Sequence, residues 1–319
     1  LLAENRHINR LIRRKYNFLH FINESMHLTN KKYLYNDDLT VLNNEFNVFI
    51  AGSDQIWNPV CTGGVDSNFF LNFVDGRVNK RIAYAPSLAH ASFEDKILNE
   101  MCGYIEKFDA ISVREESGKK ILKNNTSKNI EVVLDPTMLL EEKDYKKLEI
   151  KPKFDKPYIF VYMLRGTKEQ RCMIEKFAKK VNLKIITMPF MEPEYAVWYD
   201  FKFGDFKYWD AGPDEFISVI KNASYVFTDS FHSSVFSILY HVPFFTFPKV
   251  GKAQMSRIIN LQKILNIDSR MVYNENDINC VFQKKIDWKS VDEILDGKRI
   301  ISQQYIRKVI RKYDEGICL

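Results

Sequence analysis

The sequence predicts an α/β protein built from two Rossmann-like, doubly wound domains. Three observations lead there. Short apolar, β-prone runs end in polar turns, and segments with apolar residues at helical spacing follow them. A charged stretch over residues 141–156, with Pro152 inside it and Pro157 just after, interrupts this alternation. From Tyr158 onward the alternation restarts. The expected division is therefore residues 1–150, residues 151–290, and a helical segment over 291–319 that packs back towards the first domain.

Residues 1–27 carry Ile8, Leu11, Ile12, Phe18, Leu19 and Ile22 at helical spacing among Arg6, Arg10, Arg13, Arg14 and Lys15. A basic amphipathic helix of this kind suits either a solvated surface or peripheral contact with an anionic membrane. Residues 48–51 read as a buried strand, 69–73 as a further strand, and 81–85 as another. A helix over 93–107 puts Phe93, Ile97, Leu98, Met101 and Ile105 on one face. Residues 110–113 are a strand opening a short helix through Leu122, and 130–134 are the next strand. In the second domain, 158–164 is a strand, Arg165-Gly166-Thr167 a polar turn, 168–182 a helix and 183–188 a strand. Residues 189–212 are irregular: Pro189, Pro193, Gly204 and Gly212 alternate with aromatics such as Tyr195, Trp198, Tyr199, Phe203, Tyr208 and Trp209. Those rings either stack on sugars or pack an interdomain surface. Pro213 starts a helix at its favoured first position, with Asp214 and Glu215 in the first turn. Helices over 255–265, 288–295 and 297–313 complete the pattern.

Three stretches carry candidate chemistry. The first is 225–247: an apolar strand, the turn Asp229-Ser230-Phe231-His232-Ser233-Ser234, a helix stopped by Pro243, and the next strand. Polar residues at the carboxyl end of a strand occupy the place where open α/β sheets bind ligands. Asp229, Ser230, Ser233 or Ser234 can cap the helix, whose free N–H groups suit an anion. His232 brings the one side-chain type that titrates near neutrality. The second stretch is Gly52-Ser53-Asp54-Gln55-Ile56-Trp57 at the end of a strand, read as a loop whose backbone approaches a ligand. The third is Arg114, at the end of another strand, placed either to clamp a phosphate or carboxylate or to pair with Glu115, Glu116 or a neighbouring helix.

With 319 residues, 45% of them hydrophobic, the chain is long enough for two cores. A formal charge of +6 suits an anionic substrate or membrane surface, but no Lys/Arg run argues for nucleic acid. Five scattered cysteines form neither a disulfide framework nor a zinc motif, so a reducing, cytoplasmic setting is expected, with no metal. No apolar run is long enough to span a bilayer.

In order along the chain stand Ala51-Gly52-Ser53-Asp54-Gln55-Ile56-Trp57-Asn58, Ser112-Val113-Arg114-Glu115, Leu134-Asp135-Pro136-Thr137, Gly212-Pro213-Asp214-Glu215-Phe216, Thr228-Asp229-Ser230-Phe231-His232 and Ser256-Arg257-Ile258. This ordered set resembles the polysaccharide pyruvyl transferase family, from about Asn43 to Arg270. The resemblance implies a GT-B-like fold with the site in a cleft between the halves. It implies transfer of a pyruvyl group from phosphoenolpyruvate to a sugar of a cell-surface polysaccharide, capsule or exopolysaccharide, or its precursor, as a cyclic ketal. No cofactor is expected beyond that donor. His232 matches the family's histidine, and Arg114 an arginine expected to bind phosphoenolpyruvate. Where family members carry an Arg-Leu-His-like motif this chain has Ser230-Phe231-His232, so Arg165 or Arg257 would have to supply the missing charge. Members also begin with a strand and a Gly- or Asn-rich loop. This chain opens Leu1-Leu2-Ala3, so its first strand is expected to be missing.

On this reading His232 is the general acid/base and Arg114 holds the donor, with Ser230, Ser233, Ser234, Arg165 and Arg257 around it. Gly52, Ser53, Asp54, Gln55, Trp57 and Asp229 contact substrate, and Asp229 either orients His232 or caps the helix. A lipid-linked acceptor sugar is compatible with this reading, and the basic N-terminal helix would give contact with the inner face of the membrane. The alternatives are a GT-B-type nucleotide-sugar glycosyltransferase and a non-catalytic carbohydrate-binding protein.

Overall fold

A computed structural model describes residues 2–89, 92–154, 156–190, 198–249 and 255–317. Helix α1 (Leu2–Ser25) comes first. Strand β1 (Val48–Ala51) is followed by the short α2 (Pro59–Thr62), β2 (Lys80–Ala83), α3 (Asp95–Ile105), β3 (Ala110–Val113), α4 (Glu116–Lys123) and β4 (Ile130–Val132). These four strands form one parallel sheet in the order β1-β2-β3-β4, each new strand being added on the same side. One face is covered by α3, α4 and the Trp57 turn. Trp57 stacks on Phe70 at 5.1 Å and meets Phe108 edge-on, in a core with Met101, Ile105 and Leu122.

The expected strand over 69–73 is instead a run of tight turns. The N–H groups of Phe69, Phe70 and Leu71 each donate to the carbonyl three residues back. Its apolar residues are buried against Trp57, which periodicity alone cannot distinguish from a strand.

The chain continues through α5 (Glu142–Tyr145), β5 (Tyr158–Tyr162), α6 (Lys168–Val181), β6 (Lys184–Thr187), β7 (Phe206–Lys207), α7 (Pro213–Lys221), β8 (Tyr225–Thr228), α8 (Phe231–Leu239), β9 (Phe244–Thr246), α9 (Ser256–Ile264), α10 (Glu275–Gln283) and α11 (Trp288–Ile317). The second sheet is all parallel, in the order β7-β6-β5-β8-β9. Successive strands are added on one side of β5 as far as β7 and then on its other side from β8, which makes the gap between β5 and β8 the topological switch point. Helix α6 starts at a capping box of Thr167 and Gln170 and stops at Asn182, which takes a left-handed conformation (φ 53°). Phe227 of β8 stacks on Phe245 of β9 at 4.2 Å inside the core.

Helix α10 went unread in the sequence. Its start is marked by Asn274, whose side chain accepts the N–H groups of Asn276 and Asp277. Helix α11 runs unbroken through Gly297, where two helices were expected. A helical glycine costs about 1 kcal/mol relative to alanine, and buried Val291, Leu295 and Tyr305 along the same helix outweigh it.

Contacts divide the chain into a first-sheet unit, residues 31–140 with 292–319, and a second-sheet unit, residues 1–30 with 141–291. Residues 1–30 therefore do not group with the first sheet, unlike the division read from sequence. The reason is polar: Asn17 donates to the Asp210 carbonyl at 2.7 Å, Arg14 to the Pro189 carbonyl at 3.1 Å, and Arg13 pairs with Asp210. From Asp292 onward α11 belongs to the first-sheet unit. There Tyr305 donates to the Ala83 carbonyl at 3.0 Å and packs with Ile82, Tyr84 and Val133 on the other face of the sheet. Among the described residues no helix is long and apolar enough to cross a membrane.

Candidate active site

Each unit gathers polar side chains at the carboxyl ends of its strands. In the first-sheet unit, Gly52 follows β1 with φ 150°, and a Cβ there would lie 1.9 Å from the Tyr84 carbonyl oxygen. Only glycine lets the two loops approach so closely. Ser53 Oγ donates to the Ala85 carbonyl at 2.6 Å, and the Asp54 carbonyl accepts the Ser87 N–H at 2.7 Å. The Asp54 carboxylate is half-exposed, while Gln55 Oε1 accepts from Asn58 Nδ2 and braces the turn.

Arg114 is buried at the end of β3. Its Nη1 donates to Asp135 Oδ2 at 2.5 Å and its Nη2 to Asp54 Oδ1 at 3.1 Å, and its Nε lies 3.8 Å from Glu115 Oε2. Burial alone would lower its pKa, but Asp135, Glu115 and Asp54 together raise it. Asp135 also accepts the N–H and hydroxyl of Thr137, and Glu115 Oε1 accepts the Ser87 hydroxyl. Three carboxyls thus surround one guanidinium. Where an anion clamp was expected stands the centre of a buried ion-pair network, and its close partners are Asp135 and Asp54, with Glu115, one of the partners the sequence offered, farther off. Trp57 is corrected too: at 1% exposure, with its Nε1–H on the Phe69 carbonyl, it is core and offers substrate no surface.

In the second-sheet unit the switch point is built by Asp229, fully buried just after β8. Its Oδ1 accepts the N–H of Leu164 at 2.6 Å and its Oδ2 that of Arg165 at 2.8 Å. Thr228 reinforces this clamp, donating to the Tyr162 carbonyl and accepting the Ser230 N–H. Burial pushes the Asp229 pKa up, against the Leu164 N–H, the positive charge of Lys249 and the Arg165 N–H. Asp229 therefore positions the Arg165-Gly166-Thr167 turn, which corrects both roles expected of it: the cap of α8 is Ser230, and its two oxygens hold backbone.

Ser230 accepts the Ser233 N–H at 3.4 Å, and His232 is the half-buried second residue of α8, edge-on to Phe231. The Arg257 guanidinium, from the first turn of α9, stands 5.9 Å over the Phe231 ring. Gln170 at the start of α6 donates to the Pro248 carbonyl, which fixes the loop carrying Lys249.

Of the serines expected to contact donor, Ser234 is fully buried and donates to the Ser230 carbonyl, a bond internal to the helix. The Ser233 side chain is fully buried as well. Neither faces solvent, because α8 is packed on all sides of its middle turn. Sequence reading missed Lys249; the available signal was a lysine three residues past the end of β9, where ligand-facing residues gather. Of the irregular aromatics, Phe203, Tyr208 and Trp209 are buried and Trp198 is 86% exposed, while Pro193 and Tyr195 lie outside the described residues. Among the described residues no group of His, Cys, Asp or Glu side chains is arranged to hold a metal.

The chain is thus an α/β protein of two parallel sheets with polar side chains gathered at the carboxyl ends of the strands, where open sheets of this kind bind ligands. The chain belongs to the polysaccharide pyruvyl transferase family, whose sequence profile matches residues 5–248. It is accordingly a transferase of polysaccharide pyruvylation at the level of that family. No curated protein sequence matches it. The fold is similar to that of UDP-GlcNAc 2-epimerase from Methanocaldococcus jannaschii, with a TM-score of 0.62 at 13% identity over 93% of this chain and 90% of that one. It is also similar to a putative UDP-N-acetylglucosamine 2-epimerase from Listeria monocytogenes, with a TM-score of 0.52 at 11% identity over 86% and 76% of the two chains. Both likenesses establish a GT-B-like α/β fold of two Rossmann-like parallel-sheet units.

Proposed function

We propose that the protein transfers the pyruvyl group of phosphoenolpyruvate to two hydroxyls of a sugar in a cell-surface polysaccharide or its precursor, with His232 as general acid/base. One observation supports this reading: at the switch point Asp229 holds the Arg165 N–H and feels the charge of Lys249, and α8, which starts just after it, carries His232 beside Phe231, over which Arg257 stands. The donor carries a phosphate and a carboxylate, so it needs cations and N–H donors, which this switch point offers. The three carboxyls around Arg114 make the other loop cluster a poor host for it.

In the proposed reaction His232 delivers a proton to the methylene carbon of the enol, and the adjacent carbon becomes oxocarbenium-like. A sugar hydroxyl adds there, and its proton returns to His232. The C–O bond to phosphate then breaks, the second hydroxyl closes the ring, and its proton leaves with the phosphate. Ser230 occupies the position where the family motif has arginine, and its side chain is spent on capping α8. The cation is proposed to come from Arg257 and Lys249, which lie beyond that motif.

The test is phosphate release from phosphoenolpyruvate with lipid-linked and nucleotide-linked sugars, wild type beside His232→Ala, with donor binding followed by calorimetry. The expected result is acceptor-dependent release that the substitution lowers by about a hundred- to ten-thousandfold while donor binding persists. Binding of a nucleotide sugar without binding of phosphoenolpyruvate would overturn the proposal.

A further inference from the structure

The first-sheet unit carries a second concave region, at the amino-terminal ends of its strands and therefore opposite the Gly52 and Arg114 loops. A cavity of about 450 Å³ is bounded there by Lys80, Lys128, Glu131, Tyr305 and Lys308, beneath β2, β3 and β4. A neighbouring cavity of about 600 Å³ shares Glu131, Tyr305 and Lys308 and extends along α11 past Arg307 and Arg311. The two form one groove of the size that holds small ligands or a few units of a polymer.

Its charge is one-sided. Five cationic side chains (Lys80, Lys128, Arg307, Lys308 and Arg311) face two carboxyls, Asp109 and Glu131. Asp109 is already held by Lys80 at 3.3 Å and by the Arg81 N–H at 2.9 Å. Lys128 donates to the Phe108 carbonyl. Arg307, Lys308 and Arg311 are exposed. They make no hydrogen bond or ion pair among the described residues, and as residues i, i+1 and i+4 they line one stretch of helix. Ile301, Val309 and Tyr305 supply apolar wall beside them. In the sequence these cations fall within the terminal helix expected over 297–313.

We propose that this groove binds a carboxylate-bearing segment of polysaccharide, and so holds the polymer at a distance from the transfer chemistry. The inference rests on the family reading, since each pyruvyl ketal keeps the carboxylate of pyruvate and makes the product strand anionic. Charge complementarity selects the occupant. Two adjoining cavities of about 450 and 600 Å³ exceed what a single phosphate fills, and their cationic side chains run from one into the other, which favours a strand.

The probe is polygalacturonate, an unbranched carboxylate polymer, measured by calorimetry against its carboxyl-reduced neutral form and against phosphatidylglycerol vesicles. The variant is Arg307→Ala/Lys308→Ala/Arg311→Ala in the full chain, with circular dichroism to confirm folding. Three exposed charge contacts predict a loss on the order of tenfold or more in polygalacturonate affinity. Wild-type binding should weaken as salt rises from ~0.05 M to ~0.5 M, and the neutral polymer should bind neither protein. Wild type that does not bind polygalacturonate, a variant that binds it equally, or a variant that loses only vesicle binding overturns the proposal. Phosphoenolpyruvate binding in the same variant should be unchanged. A failed groove is thus distinguishable from a failed donor assignment.

Discussion

Asp229 is the residue whose replacement says most about the site. It accepts two backbone N–H groups in full burial, from Leu164 and Arg165. Hydrogen bonds to a charged acceptor are worth roughly 1.5–3 kcal/mol each, and an orphaned buried donor costs about 1–3 kcal/mol. The cost of burying the carboxylate, visible in its raised pKa, takes part of this back. Asp229→Ala should therefore cost about 2–4 kcal/mol in chemical denaturation. Asp229→Asn should cost less, since its carbonyl keeps one N–H while its NH₂ confronts the other. The sign of the pH effect follows from the upward shift. The folded protein holds the Asp229 proton more tightly than the unfolded chain, whose value is near 3.8. Stability from this group is thus greatest at low pH and declines as pH rises from there through the folded value. The wild-type advantage over the Asn variant should shrink across that window. Because the clamp sets the Arg165 turn, phosphoenolpyruvate should also bind the Asn variant more weakly at neutral pH. An Asn variant equal to wild type in both stability and donor binding would refute the clamp, and a stability difference flat across that window would refute the upward shift.

Other substitutions separate the two loop clusters. Arg257→Ala and Lys249→Ala should each weaken phosphoenolpyruvate binding by about tenfold at low salt, read by calorimetry, while leaving thermal stability nearly unchanged. Arg114→Ala strands buried Asp135 and Glu115 and should destabilise by roughly 3–5 kcal/mol in urea unfolding, whereas an anion clamp would lose donor affinity without that loss. Trp57→Ala should cost about 3–5 kcal/mol and act on stability alone; a selective change in acceptor KM would restore it as a substrate contact.

Much of the fold was legible because its signals are local. The strand β8, its polar turn and helix α8 follow from a β-prone run, a serine cap and helical spacing, all within fifteen residues. The restart at β5 after a charged, proline-marked stretch revealed a second sheet for the same reason. Two errors show the limit. The 69–73 run is as apolar as a strand but is turned back on itself by the core that Trp57 occupies, and Gly297 breaks a helix only where packing does not hold it.

By itself, then, the sequence determined the two α/β units, the family, and the placing of His232 at a helix start beside Asp229. The tertiary structure alone decided what the charged groups do. Asp229 meets its two N–H partners 65 and 64 residues away, and Arg114 meets Asp54 and Asp135 60 and 21 residues away. Charges act on whatever the fold brings within a few ångströms. Chain order does not encode those distances, so an arginine read as an anion clamp became the centre of an ion-pair network, and an unmarked lysine came to act on the buried Asp229 carboxyl.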